Sequence, residues 1–337
     1  MQNNDIVLLS HGGGGLRSKQ LIQELVVKHL GNPILNKMDD GACLAIAEKK
    51  LVFTTDSFVV RPLFFPGGDI GKLAVCGTVN DLAMSGATPL YLSLSFIIEE
   101  GFLTSELEKI VASICQAANE AKVQIITGDT KVVNQGSADK LFINTSGIGV
   151  VPPAVDISGA NAQPGDKVIL NGKLGEHGIA VLSQREGLEF NVPVGSDCAP
   201  LNRLVAEMLE ISSNLHCLRD PTRGGLATTL NEFAQQSNVG IKIEEDSLPV
   251  NEAVQAACEL LGFDPLHMAN EGKLVAVVTP ADADKVLAKM RQNRYGAEAT
   301  IIGEIVKEHP GRVIMKTHLG SSRIVDMPVG ELLPRIC

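Results

Sequence analysis

The chain ends Pro334-Arg335-Ile336-Cys337, and a thiol in that place can do chemistry if the segment before it can travel. The stretch from Asp326 to Pro334 has prolines on either side of Gly330, at 328 and 334, which disfavours a continuous helix. Extended at roughly 3.3 Å per residue, such a tail spans up to about 40 Å, enough to visit a site on its own chain or on a second copy. Taken alone, it does not separate a carrier thiol from a chance cysteine at a chain end. Three aspartates offer a second kind of chemistry. Asp56 and Asp129 are expected at the ends of strand-like runs, Leu51-Val-Phe-Thr-Thr and Val123-Gln-Ile-Ile-Thr-Gly128, and Asp81 follows Asn80 on an otherwise apolar helix. Ligands of α/β proteins gather at the carboxyl ends of strands. Carboxylates meeting there suit Mg2+, which takes one or two of them and completes its octahedron with water and substrate phosphates. Singly, each is an ordinary turn or cap residue, or a side chain turned to solvent.

Several turns are built for anions. His11-Gly12-Gly13-Gly14-Gly15 precedes a helical pattern with Leu21, Ile22, Leu25, Val26 and Leu30 on one face, so Gly12 and Gly14 are candidates for a phosphate cradle. Pro66-Gly67-Gly68-Asp69-Ile70-Gly71-Lys72 leads into the helix that carries Asp81, with Asp69 as its expected N-cap. It narrowly misses a Walker A loop: Pro66 stands at the first glycine and Leu73 at the Ser/Thr. In Arg219-Asp220-Pro221-Thr222-Arg223-Gly224-Gly225, glycines allow close backbone approach and arginines give bidentate bonds at a strand-to-helix turn. Asn270-Glu271-Gly272-Lys273 precedes another strand, a position where a glutamate is ordinarily solvated.

The elements that must hold these residues alternate between strand and helix. Strands are expected at 51–57, 90–98, 123–131, 141–145, 167–171, 240–244, 274–278, 300–306 and 312–316, and helices at 72–85, 104–122, 201–211, 251–261 and 281–292. Ser105 and Glu108 fit a capping box for the second of these helices. The turn-rich run from Val151 to Asp166 divides an α/β chain into a first domain, 1–152, and a second, 163–325, followed by the tail, 326–337. A length of 337 residues suits two domains, each with its own core. Aromatic residues are only 4%, with no Trp, and the net charge is −10, which disfavours a nucleic-acid partner. The longest apolar stretch, 90–98, is too short to span a membrane, and no signal sequence is evident. The seven cysteines include no C-x-x-C pair, which argues against common zinc and redox motifs and suits a reducing cytoplasm.

In this order, the glycine-rich N-terminal loop, Thr55-Asp56-Ser57, Asn80-Asp81, Gly128-Asp129-Thr130-Lys131, Asp220-Pro-Thr-Arg-Gly-Gly, Asn270-Glu-Gly-Lys and the Pro-Arg-Ile-Cys tail resemble the HypE family of carbamoyl dehydratases, which serve [NiFe]-hydrogenase maturation. That family lies within the aminoimidazole ribonucleotide synthetase-like superfamily, and the resemblance covers essentially the whole chain. It implies a homodimer whose first domains pair their sheets into a β-barrel, with a mobile tail. It also implies ATP and Mg2+ bound by Asp56, Lys72, Asn80, Asp81, Gly128, Asp129, Asp220, Thr222 and Arg223, with Asp56, Asp81 and Asp129 as the metal ligands. A HypF-like carbamoyltransferase would load Cys337, and ATP-dependent dehydration would turn its thiocarbamate into a thiocyanate. The cyanide would then pass to iron on a HypC–HypD-like scaffold. Glu271 is the expected base, and Lys131 would either offset charge on the γ-phosphate with the three aspartates or orient the carboxamide. Two rivals stand beside this reading: another ATP-dependent enzyme of the superfamily acting on a free small molecule, and a non-catalytic thiol carrier.

Overall fold

The computed structural model describes residues 6–7, 21–33, 36, 50–188, 193–328, 333 and 335–337. Gly12 and Gly14 lie outside them. Two α/β units meet along a broad seam, as the alternation of strand and helix requires.

The first unit is a four-stranded sheet in the order β1-β6-β4-β5, from β1 (Lys50–Phe58), β4 (Thr88–Glu99), β5 (Gln124–Val133) and β6 (Leu141–Val151). The β1/β6 and β6/β4 pairs are antiparallel and β4/β5 is parallel. A small hairpin, β2 (Phe64–Phe65) with β3 (Gly68–Asp69), leads into helix α1 (Ile70–Met84). Asp69 caps that helix as expected, accepting from the amides of Gly71 (2.7 Å) and Lys72 (3.1 Å). Helices α1 and α2 (Thr104–Ala121) cover one face of the sheet, with Leu73, Val79, Ile110 and Ile114 in the shared core. Burial alternates along β6, and the opposite face is open, with Phe53 68% exposed and Leu51 and Ile97 also exposed.

The second unit is a seven-stranded sheet in the order β13-β12-β9-β11-β7-β10-β8. Its strands are β7 (Lys167–Leu170), β8 (Leu215–Arg219), β9 (Gly240–Glu244), β10 (Val275–Val278), β11 (Thr300–Val306), β12 (Val313–Lys316) and β13 (Ser322–Val325). Helices clothe both faces. Val168, Leu170, Val275 and Val277 pack on α5 (Gly225–Gln236), and Ile169, Ala276 and Val278 pack on α4 (Asn202–Ile211) and α7 (Pro280–Met290). Burial on both faces explains the unbroken apolar runs of β7 and β10. Helices α3 (Glu176–Glu186) and α6 (Glu252–Leu261) complete the unit on the side of the seam and tail.

Three local expectations change. The capping box does not form: Leu103 is held extended by a bridge to Ile6, so the helix begins at Thr104, before Ser105 can cap it. Strands β1 and β5 run on to Phe58 and Val133, so Asp56 and Asp129 sit inside strands. The short β13 was not foreseen. Among the described residues, no helix is long and apolar enough to cross a membrane.

Candidate active site at the domain seam

Position within the strands decides which aspartates meet. Asp56 pairs across the ladder with Thr145, whose side chain is buried on the helix-covered face, so Asp56 points toward α1. There it hydrogen-bonds the Asp81 carboxyl, whose Oδ2 accepts from Thr54 Oγ1 at 2.9 Å. Burial, with the neighbouring Asp220 and Asp56 charges, pushes the Asp81 carboxyl up to about 7; burial also raises Asp56, against the pull of the Asp81 hydrogen bond and of Arg223. Asp220 follows β8, and burial, helped by the Asp56 charge, lifts it to about 6. These are carboxyls whose negative forms lack sufficient counter-charge.

Glu271 adds to the excess. It is 2% exposed, and its Oε1 has no hydrogen-bond partner among the described residues. Burial, then the Cys198, Asp220, Asp197 and Asp56 charges, drives its pKa well above the carboxylate range. Its backbone is pinned on both sides of the seam. The Glu271 N–H donates to Asp197 Oδ1 at 3.1 Å, and its carbonyl accepts from Asn80 Nδ2 at 3.3 Å. Asn80 also donates to the Ala199 carbonyl at 3.1 Å and accepts from the Leu201 N–H at 2.8 Å. The Asn270 amide and side chain both donate to the Pro221 carbonyl, which ties this loop to the Asp220–Gly225 turn. Gly224 and Gly225 have φ of 78° and 61°, and a Cβ on Gly225 would meet the Leu266 carbonyl at 2.5 Å. Although burial opposes its charge, Lys273 at 2.9 Å holds Asp197 below the usual range.

The expected residues therefore divide. Asp56, Asn80, Asp81, Asp220 and Glu271 converge at the seam, with Thr222 and Arg223 on the adjoining turn. Asp129 and Lys131 form an exposed pair at 3.4 Å on β5, three strands from β1 and on the open face of the sheet. Gly128, where a Cβ would approach the Leu94 carbonyl to 2.0 Å, lets β5 lie against β4 beside them. Lys72 donates to the Gly67 carbonyl at 3.0 Å, nine residues before Asp81 and so about 14 Å down the helix. Among the described residues, no group of three His, Cys, Asp or Glu side chains is gathered tightly enough to hold a metal ion by itself.

The tail is docked on its own chain. The Val59 amide donates to a terminal carboxylate oxygen of Cys337 (3.2 Å) and the Arg61 amide to the Arg335 carbonyl (3.1 Å), and His177 Nε2 lies 2.8 Å from the Ile336 carbonyl. His177 Nδ1 contacts Ser196 Oγ at 2.8 Å, next to the Asp197 that holds Glu271. Ile336 is buried in the core of the first unit, and Cys337 is half-buried against it. Sequence reasoning did not single out Asp139, His177, Arg185 or Asp197. His177 stands in the glycine-rich turn Gly172-Lys-Leu-Gly-Glu-His177-Gly178, which sequence reasoning gave no role, and only the fold brings the four residues to the tail and seam.

Residues 38–151 match the AIR synthase related protein N-terminal domain, and residues 163–316 match the C-terminal domain of that family. The carbamoyl dehydratase HypE of Cupriavidus necator is 54% identical over 330 residues, covering 98% of this chain and 94% of that protein. The crystal structure of the hydrogenase maturation protein HypE in complex with ATP superposes with a TM-score of 0.95 at 48% identity, covering 98% of this chain and 99% of that one. HypE from a HypE–HypF complex matches with a TM-score of 0.81 at 52% identity, covering 91% and 99%.

Proposed function

We propose, from the premise that this chain belongs to the HypE carbamoyl dehydratases of the AIR synthase related family, that it dehydrates a carbamoyl group carried on Cys337 at the expense of ATP. The observation that carries this reading is a juxtaposition. The tail is tied through His177 to Ser196, and Glu271, with an unpartnered carboxyl oxygen, is tied to the adjacent Asp197. A substrate-bearing tail and a candidate base are thus fastened to neighbouring residues of one segment.

A carboxamide oxygen is a poor leaving group until it is phosphorylated. In the overall change, the thiocarbamate oxygen takes the γ-phosphoryl of ATP and leaves as phosphate, while the nitrogen gives up two protons and becomes a nitrile on sulfur. Glu271 is assigned the final N–H proton, because a carboxylate with a raised pKa is matched to proton transfer near neutral pH. Asp56, Asp81 and Asp220 do not close a ligand set by themselves, but their charges are close and under-compensated, which a divalent cation shared with the nucleotide phosphates would relieve. When bound, Mg2+ would offset charge on the transferring phosphoryl group. The Asp220–Gly225 turn, with Thr222, Arg223 and the amides opening α5, is assigned to the nucleotide phosphates, as are Lys72 and the Gly12–Gly14 loop. Asp129 and Lys131 are assigned to nucleotide, metal and carboxamide from the open sheet face, which calls for a second subunit across that face.

A HypF-like carbamoyltransferase would load Cys337, in keeping with the HypE–HypF complex of the relative, and a HypC–HypD-like iron scaffold would accept the cyanide. A thiol that bears substrate needs a compartment where it stays reduced, which is the cytoplasm. The test is a single turnover with a carbamoyl donor and Mg-ATP. Cys337→Ala should abolish donor-dependent phosphate release; release at the wild-type rate would refute the carried substrate and favour a free small molecule.

A further inference from the structure

We propose that Asp139, Arg185 and His177 are positioning residues for the tail, holding it through Arg335 and its backbone so that Cys337 is presented at the seam of its own chain. The proposal rests on the reading that Cys337 carries the substrate.

Arg335 is engaged on every side. Its guanidinium pairs with the Asp139 carboxylate, its Nε donates to the Val59 carbonyl at 2.9 Å, and it lies 5.8 Å from the centre of the Phe142 ring. Hydrogen bonding from Arg335 holds Asp139 below the usual carboxylate range. Arg335 takes φ 55°, a left-handed conformation uncommon for a residue with a Cβ, so these contacts specify a backbone that the tail would not adopt unaided.

Arg185, in the last turn of α3, donates from Nε to the Arg61 carbonyl at 2.9 Å and from Nη2 to the Arg335 carbonyl at 2.7 Å. One guanidinium therefore staples the tail to the 59–61 segment beside which it lies. His177, in the first turn of the same helix, is fully buried and meets the Phe65 ring edge-on, 5.4 Å between centres, while contacting the Ile336 carbonyl. Burial lowers its pKa, which favours the neutral ring with Nε2 as donor and Nδ1 accepting from Ser196. Asp139 and Val59–Arg61 belong to the first unit, and both ends of α3 to the second, so the dock exists only while the two units are closed on each other.

A tail that merely buried its isoleucine would need none of these polar partners.

The test is the rate at which N-ethylmaleimide alkylates Cys337 in the full-length protein without nucleotide, followed by the mass of the C-terminal peptide. Asp139→Ala, Arg185→Ala and Arg335→Ala should each raise the rate about five-fold or more, and Asp139→Glu should stay near wild type. The Asp139→Ala/Arg335→Ala double variant should fall well short of the product of the two single effects, because either change alone already removes the ion pair they share. Asp139→Ala should also slow single-turnover dehydration at unchanged ATP affinity. Wild-type alkylation rates, a multiplicative double variant, or unimpaired dehydration with the dock lost would each overturn the proposal. If wild-type protein fails to dehydrate its carbamoyl group while the alkylation pattern holds, the dock is supported and the carried-substrate reading falls.

Discussion

At the scale of single residues, the seam holds more carboxyl groups than it can comfortably ionise. Asp81 keeps its proton to about pH 7 in the folded chain, against 3.8 for an ordinary aspartate. The folded state therefore binds more protons than the unfolded one between those values. The stability this contributes is complete below about pH 4 and is lost as pH rises through about 7. Asp81→Asn removes that dependence. In urea unfolding without metal or nucleotide, the variant should gain roughly 2 kcal/mol over wild type at pH 8, after discounting for partial exposure, and little at pH 4. A difference independent of pH would contradict the assignment. Glu271 is the other residue to probe. Burial and the neighbouring negative charges disfavour its ionised form, and a glutamine amide fills the same space without charge, so Glu271→Gln should leave stability unchanged to within about 1 kcal/mol or raise it. The same change should slow nitrile formation by about 100-fold or more while leaving carbamoylation of Cys337 intact. Unimpaired nitrile formation would remove Glu271 as the base.

At the scale of elements, helix α1 joins the two units. Its Asn80 makes three hydrogen bonds to backbone across the seam, to Ala199, Glu271 and Leu201, from a fully buried position. Asn80→Ala should cost about 2–4 kcal/mol, because it leaves buried donors and acceptors unpaired, and a denaturation curve within 0.5 kcal/mol of wild type would deny that role. The sequence made the α1 start legible through Asp69, and the β9 and β11 bounds through their β-branched residues, which in β9 alternate with charged ones. It also marked Glu271 and Asp220 by the turns they occupy. It did not reveal that β1 and β5 continue past their aspartates. Consequently it could not tell that Asp56 faces the helices while Asp129 faces the open side, since one residue of register decides the face. The tail's partners were hidden for a related reason. Asp139 and Arg185 are ordinary residues locally, and His177 stands in a glycine-rich turn whose use does not show in the sequence; they become a dock only when a loop of the first unit and a helix of the second are brought within hydrogen-bonding reach.

At the scale of the whole molecule, two surfaces remain to be joined to function. The open face of the first sheet exposes Phe53 and Leu51 on β1 and, beside Lys131, Ile97 on β4, and it is the face assigned to the second subunit. Phe53→Glu should shift the protein toward monomer in sedimentation velocity at micromolar concentration and lower dehydration in parallel; an unchanged dimer would move the interface elsewhere. The central claim is that the two units act on the chain's own last residue. Its most direct test is to load the wild-type protein from a carbamoyl donor, add Mg-ATP, and follow the mass of the C-terminal peptide. The account predicts a carbamoyl adduct on Cys337 that loses the mass of one water only when ATP is present. An adduct on another cysteine, or loss of water without ATP, would contradict it.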